Sequence, residues 1–294
     1  MLAVQFAQFG PPEVLRLAEA PDPHPGPGEV RVRVRAAGVS PVDVALRAGT
    51  SPSAARLPRP HIPGVDAAGV IDEVGPGVTG WAPGDEVFGI VPLATLGGAT
   101  AQLAVLRHWA RRPAQLPWAE AGAAGTSLET ATRALDRLAL EPGMRLLVTG
   151  AAGGVGSVAV QLAVLRGVRV YGTGSADAAD FVAALGAEPL GREIAGRFDR
   201  ALDTAGGGLL PALIEATGDA ARVLTIADFA APGLGVALST GEPAGEPGGH
   251  HGLAEAGRIR VPLQATYPMS DPPAAHRAFE TTSRRGKLAY EIDA

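Results

Sequence analysis

The stretch Arg145-Leu-Leu-Val-Thr-Gly-Ala-Ala-Gly-Gly-Val-Gly-Ser-Val-Ala-Val-Gln-Leu-Ala163 decides the fold. Its first five residues make an apolar run of strand length, its middle is a burst of small residues, and apolar residues recur at helical spacing from Val155 through Val164. The pattern predicts strand, tight turn, helix. At such a turn the free N–H groups of the first helical turn and the positive end of the helix dipole converge on one spot, which suits a pyrophosphate. Ala151, Gly153 and Gly156 stand where a dinucleotide fingerprint wants small residues, so that the backbone can approach the phosphates and the helix can pack on its strand.

Small residues also serve ordinary close packing at a strand-to-helix corner, so the context decides. Val168–Ser175 reads as a second strand and closes a unit of the length that a right-handed βαβ crossover needs. Beyond it, Asp177–Gly186 reads as a helix, Ala201–Gly207 as a strand ending in a glycine turn, and Arg222–Asp228 and Gly235–Thr240 as two more parallel strands. Upstream, Glu120–Leu138 has helical periodicity that ends before Pro142-Gly143. The alternation predicts a doubly wound parallel sheet.

Outward from this block the chain changes character. Residues 3–34 are β-rich, and Glu29-Val-Arg-Val-Arg-Val-Arg35 alternates apolar and charged residues, the mark of a strand with one buried and one wet face. His61–Gly89 punctuates short β-branched runs with glycine, which predicts a partly open barrel with tight corners, and Gly98–Leu106 adds a strand. On the far side, after a Gly/Pro/acid loop at Gly241–Gly249, come a short helix, a strand Arg258–Gln264, a helix from His276 to Thr282 and a strand Lys287–Ile292.

Composition narrows the chemistry. A chain of 294 residues is a prior for about two domains. With 46% hydrophobic and 19% charged residues, no apolar run of membrane-spanning length and no secretion signal at Met1–Ala7, a globular cytoplasmic protein is expected. The absence of cysteine excludes disulfides, thiolate zinc sites, Fe–S clusters and a cysteine nucleophile. A net charge of −5 with scattered arginines gives no case for nucleic acid, and the pairs Arg111-Arg112 and Arg284-Arg285 read as solvated surface. His250-His251, adjacent in a polar loop without a carboxylate at helical spacing, reads as exposed rather than as a metal site.

Several motifs in order resemble the medium-chain dehydrogenase/reductase superfamily, and within it the zinc-independent quinone oxidoreductase branch. They are Phe9-Gly-Pro-Pro-Glu-Val-Leu15, Gly38-Val-Ser-Pro-Val-Asp43, Pro63-Gly-Val-Asp-Ala-Ala-Gly69, Gly84-Asp-Glu-Val87, Thr130-Ala131, Ala151–Gly156, Leu185-Gly-Ala187, Asp203-Thr-Ala-Gly-Gly207 and Gly286-Lys-Leu288. The resemblance implies a Rossmann-type doubly wound sheet, residues 120–257, and a discontinuous GroES-like partly open β-barrel, residues 1–119 and 258–294, that takes the substrate. Ser40 falls where zinc-dependent relatives carry a cysteine ligand and Val65-Asp66 where they carry His-Glu, so no metal is expected. Ser40 and the residues Val44-Ala45 and Glu129 also depart from the usual members, so substrate identity does not transfer.

The implied activity is hydride transfer to a small-molecule quinone or α,β-unsaturated carbonyl acceptor. Reduction of an enoyl thioester of polyketide type, and a non-catalytic NADPH-binding role, are the alternatives. Expected catalytic residues are Ser40, Asp43 and Thr130, with Thr130 on the nicotinamide carboxamide and Arg47 lining the site; Glu129 and Tyr267 are candidate proton donors. Expected dinucleotide contacts are Thr130, Ala152, Gly153, Gly154, Val155, Thr173, Gly174, Ser175, Arg192, Thr204, Ile226 and Asp228. The second strand ends in Gly172-Thr-Gly-Ser175 without the acid that holds an NAD ribose, which favours NADPH over NADH; Asp177 counts against it and Arg192 for it. The strand Gly235–Thr240, if at a sheet edge, would pair across a two-fold axis in a homodimer. A short-chain reductase, which shares the Thr149–Gly156 pattern, is set aside because neither Tyr171 nor Tyr267 has a lysine four residues on.

Overall fold

The computed structural model describes residues 1–92, 94–191, 194–241, 256–283 and 285–293, and counts below refer to these. The chain forms two units: residues 1–126 with 256–282 and 287–293, and residues 127–241 with Ser283, Arg285 and Gly286. Among the described residues no helix is long and apolar enough to cross a membrane.

The first unit opens with strands β1 (Leu2–Gln5), β2 (Arg16–Glu19) and β3 (Val30–Val39). In β3 the alternation is realised: Val30, Val32 and Val34 are buried, each contributing about 1.5–3 kcal/mol over exposure, while Arg31 turns outward to Asp72 at 2.9 Å. Helix α1 (Pro41–Ala48) follows, started by Ser40 in extended conformation with Pro41 at the first helical position and stopped by Gly49 at φ +80°. Next come β4 (Asp66–Val74), β5 (Glu86–Ile90), β6 (Leu103–Leu106) and β7 (His108–Arg111). The expected strand Gly98–Leu106 shortens to β6, and β7 was not foreseen.

The expected continuous helix Glu120–Leu138 is two helices, α2 (Trp118–Gly122) and α3 (Gly125–Arg137). Contact with the sheet backbone explains the break. A Cβ on Gly122 would lie 2.5 Å from the Ala36 carbonyl oxygen and one on Gly125 would lie 2.7 Å from that of Gly89, so these glycines permit close approach.

The second unit runs β8 (Arg145–Thr149), α4 (Gly154–Leu165), β9 (Arg169–Thr173), α5 (Ala179–Ala184), β10 (Glu188–Leu190), β11 (Arg200–Asp203), α6 (Leu210–Thr217), β12 (Val223–Thr225) and β13 (Ala237–Leu238). The order across the sheet is β10-β9-β8-β11-β12-β13 with every pair parallel, the doubly wound arrangement in which the strand order reverses at β8. Leu147, Ala201, Leu210, Leu213 and Val223 are the heart of its core. The strand expected over Gly235–Thr240 is only two residues long, because Gly235 at φ +71° closes the preceding 3₁₀ turn and the ladder ends once Ser239 N–H has met Thr225 O.

The chain then returns to the first unit with β14 (Leu263–Pro268), α7 (Pro272–Thr281) and β15 (Lys287–Glu291). The strand expected at Arg258–Gln264 is displaced: Ile259 and Val261 are buried as the alternation required, but Pro262 has no N–H for a ladder and pairing begins at Leu263. The resulting sheet has the order β14-β15-β3-β4-β5-β7, with β6 also on β3. Leu288↔Val39 and Tyr290↔Ala37 join segments from opposite ends of the sequence. Trp109, Phe6, Ile71, Leu106 and Tyr290 fill this core.

Candidate active site

Each unit carries its own set of candidate residues. In the second, β8 ends at Thr149, Gly150 at φ +66° reverses the chain, and α4 begins at Gly154 behind Gly153. Gly153 offers no side-chain cap. The N–H groups of Gly154, Val155 and Gly156 have no partner within the helix, so the turn presents donors and a positive dipole end to a ligand. A Cβ on Gly156 would stand 2.1 Å from the Gly150 carbonyl oxygen, so glycine is compulsory there. Ala151 N–H bonds Thr173 O at 3.1 Å, tying the turn to the end of β9, and Ala152 O accepts Gly286 N–H at 2.7 Å. This open cradle fits a dinucleotide pyrophosphate.

The cradle stands on Asp203, which is fully buried at the end of β11. Its carboxylate accepts from Thr149 Oγ1 at 2.6 Å, Thr225 Oγ1 at 2.7 Å, Ala205 N–H at 3.1 Å and Gly206 N–H at 3.0 Å, locking the ends of three adjacent strands. Among the expected contacts, Thr204 donates its hydroxyl to Thr149 O at 2.7 Å. Ile226 is half-buried, its N–H bonded to Asp203 O, and Asp228 accepts from Ala230 N–H at 2.9 Å, a turn-closing task. Thr173 is buried, and Gly174 and Ser175 are half-buried at the end of β9. Arg192 lies outside the described residues, as do His250, His251 and Arg284.

Asp177, the acid that weighed against NADPH, is engaged. The Ser175 hydroxyl and then the Arg285 guanidinium hold its carboxyl below the usual range, with Arg285 Nη2 at 3.0 Å from Oδ2. On α3, Glu129 is clamped by Arg133, Nε to Oε1 at 2.7 Å and Nη2 to Oε2 at 3.1 Å, and Arg133 also bonds Ser239. Half-buried Thr130 donates its hydroxyl to Glu129 at 3.3 Å, which leaves its lone pairs to accept.

In the first unit, Ser40 and Asp43 lie in a buried polar cluster. Asp43 accepts Ser40 N–H at 2.7 Å, as an acid at the third helical position does in a capping box, and Gly64 N–H at 3.1 Å. Burial pushes its carboxyl up to about 7. Ser40 Oγ donates to Asp66 at 3.3 Å and accepts from Lys287 Nζ at 2.6 Å, while Lys287 also reaches Asp66 at 3.2 Å. Thr126 adds N–H and Oγ1 donors to Asp66, both at 2.6 Å. Thus the two positions set against zinc-ligand positions, Ser40 and Asp66, share an ammonium group.

Arg47, expected to line the site, is buried, donating to Gly10 O at 2.5 Å and paired with Glu280. Behind it, burial and then the Arg47 charge lower His276 to about 3. Tyr267 is half-buried against the core. Among the described residues no group of three or more His, Asp or Glu is arranged to hold a metal ion.

Comparison with known proteins agrees with this geometry. Residues 26–112 match the alcohol dehydrogenase GroES-like domain. The quinone oxidoreductase of Lama guanicoe is 37% identical over 177 residues, 59% of this chain and 52% of that protein. The 2-methylene-furan-3-one reductase of Solanum lycopersicum is 37% identical over 163 residues, 52% of this chain and 42% of that protein, so the matches span about half the length of these relatives. The structure of the quinone oxidoreductase from Coxiella burnetii superposes with a TM-score of 0.88 at 26% identity, covering 100% of this chain and 99% of the other. The chain belongs to the medium-chain dehydrogenase/reductase superfamily, in its quinone-oxidoreductase-like branch.

Proposed function

We propose that the chain is an NADPH-dependent oxidoreductase that reduces a quinone or an α,β-unsaturated carbonyl compound. The observation that supports this most is the uncapped first turn of α4 behind Gly150–Gly153, held open by Asp203 and closed to any side chain at Gly156. Bound NADPH would supply the hydride. The chain's own residues then have binding and orienting work: Gly153, Gly154 and Val155 present backbone N–H groups to the diphosphate, and Thr130 offers lone pairs to the carboxamide N–H, fixing one ring face. Ser40 and Asp43 are the residues proposed for the acceptor, with Asp43 setting the Ser40 backbone through its 2.7 Å bond. The named activities of the two relatives, a quinone and a methylene-furanone reductase, support the acceptor class.

The test follows NADPH absorbance against a panel of quinones and enones. Turnover with at least one class is expected, and NADPH binding without oxidation by any of them would leave the non-catalytic alternative standing. Thr130→Val should weaken NADPH turnover about tenfold through the lost hydrogen bond; unchanged kinetics would remove Thr130 from the ring. A homodimer formed through the edge strand β13 and a cytoplasmic location complete the proposal.

A further inference from the structure

We infer that Arg285 reads the 2′-phosphate of the dinucleotide, with Asp177 as the carboxylate that holds its guanidinium in place. This rests on the NADPH reading above and adds the residue that decides it. In a βαβ dinucleotide unit the adenosine ribose lies at the end of the second strand, where an acid selects the 2′-hydroxyl and an arginine accepts a 2′-phosphate. Here that place is Thr173–Asp177, and its single acid is already taken by Ser175 and by Arg285 at 3.0 Å. The carboxylate that could select NADH therefore meets a cation first.

The backbone fixes where that cation stands. Gly286 donates its N–H to Ala152 O at 2.7 Å and forms a parallel bridge with Gly153, so the residue before it leaves directly from the fingerprint turn. From there the side chain of Arg285 extends to the end of β9, and one residue joins the diphosphate cradle to the ribose position. All of these groups belong to the second unit. A phosphate monoester carries a charge of about −1.5 to −2 and three acceptor oxygens, and a planar guanidinium matches that geometry in a forked contact. The more highly charged phosphate outcompetes Asp177 for the guanidinium, and the carboxylate keeps the side chain aimed while the site awaits its ligand. Because both partners are half-exposed, the pair adds little to stability, so its removal leaves the fold intact.

Titration calorimetry on the whole chain tests this with 2′,5′-ADP, 5′-AMP, NADPH and NADH as probes. Wild type should bind 2′,5′-ADP more tightly than 5′-AMP. Arg285→Gln should lose about ten- to a hundredfold in affinity for 2′,5′-ADP and NADPH, the range for a charge-assisted hydrogen bond, while 5′-AMP and NADH stay within about twofold. Arg285→Lys should restore part of the loss. Equal losses for NADPH and NADH in Arg285→Gln, or no loss for either, overturn the assignment while a wild-type preference for 2′,5′-ADP still upholds the NADPH reading. A wild type that binds 5′-AMP as well as 2′,5′-ADP overturns both.

Discussion

Lys287, the chain's one lysine, buries its ammonium 3.2 Å from the carboxylate of Asp66, with side-chain exposures of 5% and 0%. Removing one member of such a pair strands the other's charge without water. Lys287→Met should therefore cost about 3–5 kcal/mol in urea unfolding, and adding Asp66→Asn should recover part of it. If the double variant is no more stable than the single, the two residues are not coupled as the geometry requires.

Asp203 supports the dinucleotide turn with four accepted hydrogen bonds, so its loss leaves two hydroxyls and two N–H groups without their acceptor. Asp203→Ala should destabilise the fold by about 3 kcal/mol or more and weaken NADPH binding. Gly156→Val should act more selectively: its Cβ collides with Gly150 O, so NADPH binding is expected to vanish even where thermal unfolding shows a folded chain.

Asp43 and His276 should tilt stability against pH in opposite senses. The folded Asp43 carboxyl, at about 7, lies above its unfolded value of 3.8, so its neutral form is favoured by the fold and stability falls as pH rises across that window. His276, at about 3 when folded against 6.5 unfolded, must stay neutral, so stability falls as pH drops from 6.5 toward 3. Relative to wild type, Asp43→Asn should gain stability with rising pH between these values, and His276→Phe should lose its relative advantage. Denaturation midpoints measured across both windows check the two signs separately.

Among the described residues β13 is the last strand of the second unit's sheet and has one unpaired side, and near it in sequence Phe229 and Leu234 are 69% and 44% exposed. Phe229→Glu should convert the proposed homodimer to a monomer in light scattering. A wild-type monomer at the same concentration would remove the dimer.

How far the chain could be read in advance depended on how local each determinant is. The run Arg145–Ala163 announced its strand, turn and helix because periodicity and small residues act over a few positions. The alternation of Glu29–Arg35 did the same for β3. The split between α2 and α3 was hidden, since Gly122 and Gly125 look like ordinary helical alanine substitutes until Ala36 and Gly89 of the sheet stand against them. The buried cluster was hidden for another reason: Ser40 meets Asp66 and Lys287 across 26 and 247 positions of chain, and no spacing rule reaches so far. Asp177 counted against NADPH by its charge alone, and its pairing with Arg285, 108 residues on, lay beyond the reach of any spacing rule.

The pairing of β15 with β3 has a consequence for synthesis. A ribosome delivers β3 early and β15 only after every strand of the second unit, so through most of translation the Ala36–Val39 end of β3 waits without one of its neighbours, while β6 already covers Val30–Arg33. The Rossmann unit, whose strands follow one another closely, is free to fold first. Nascent chains halted before Lys287 should show a protease-resistant second unit beside a first unit that is still readily cleaved.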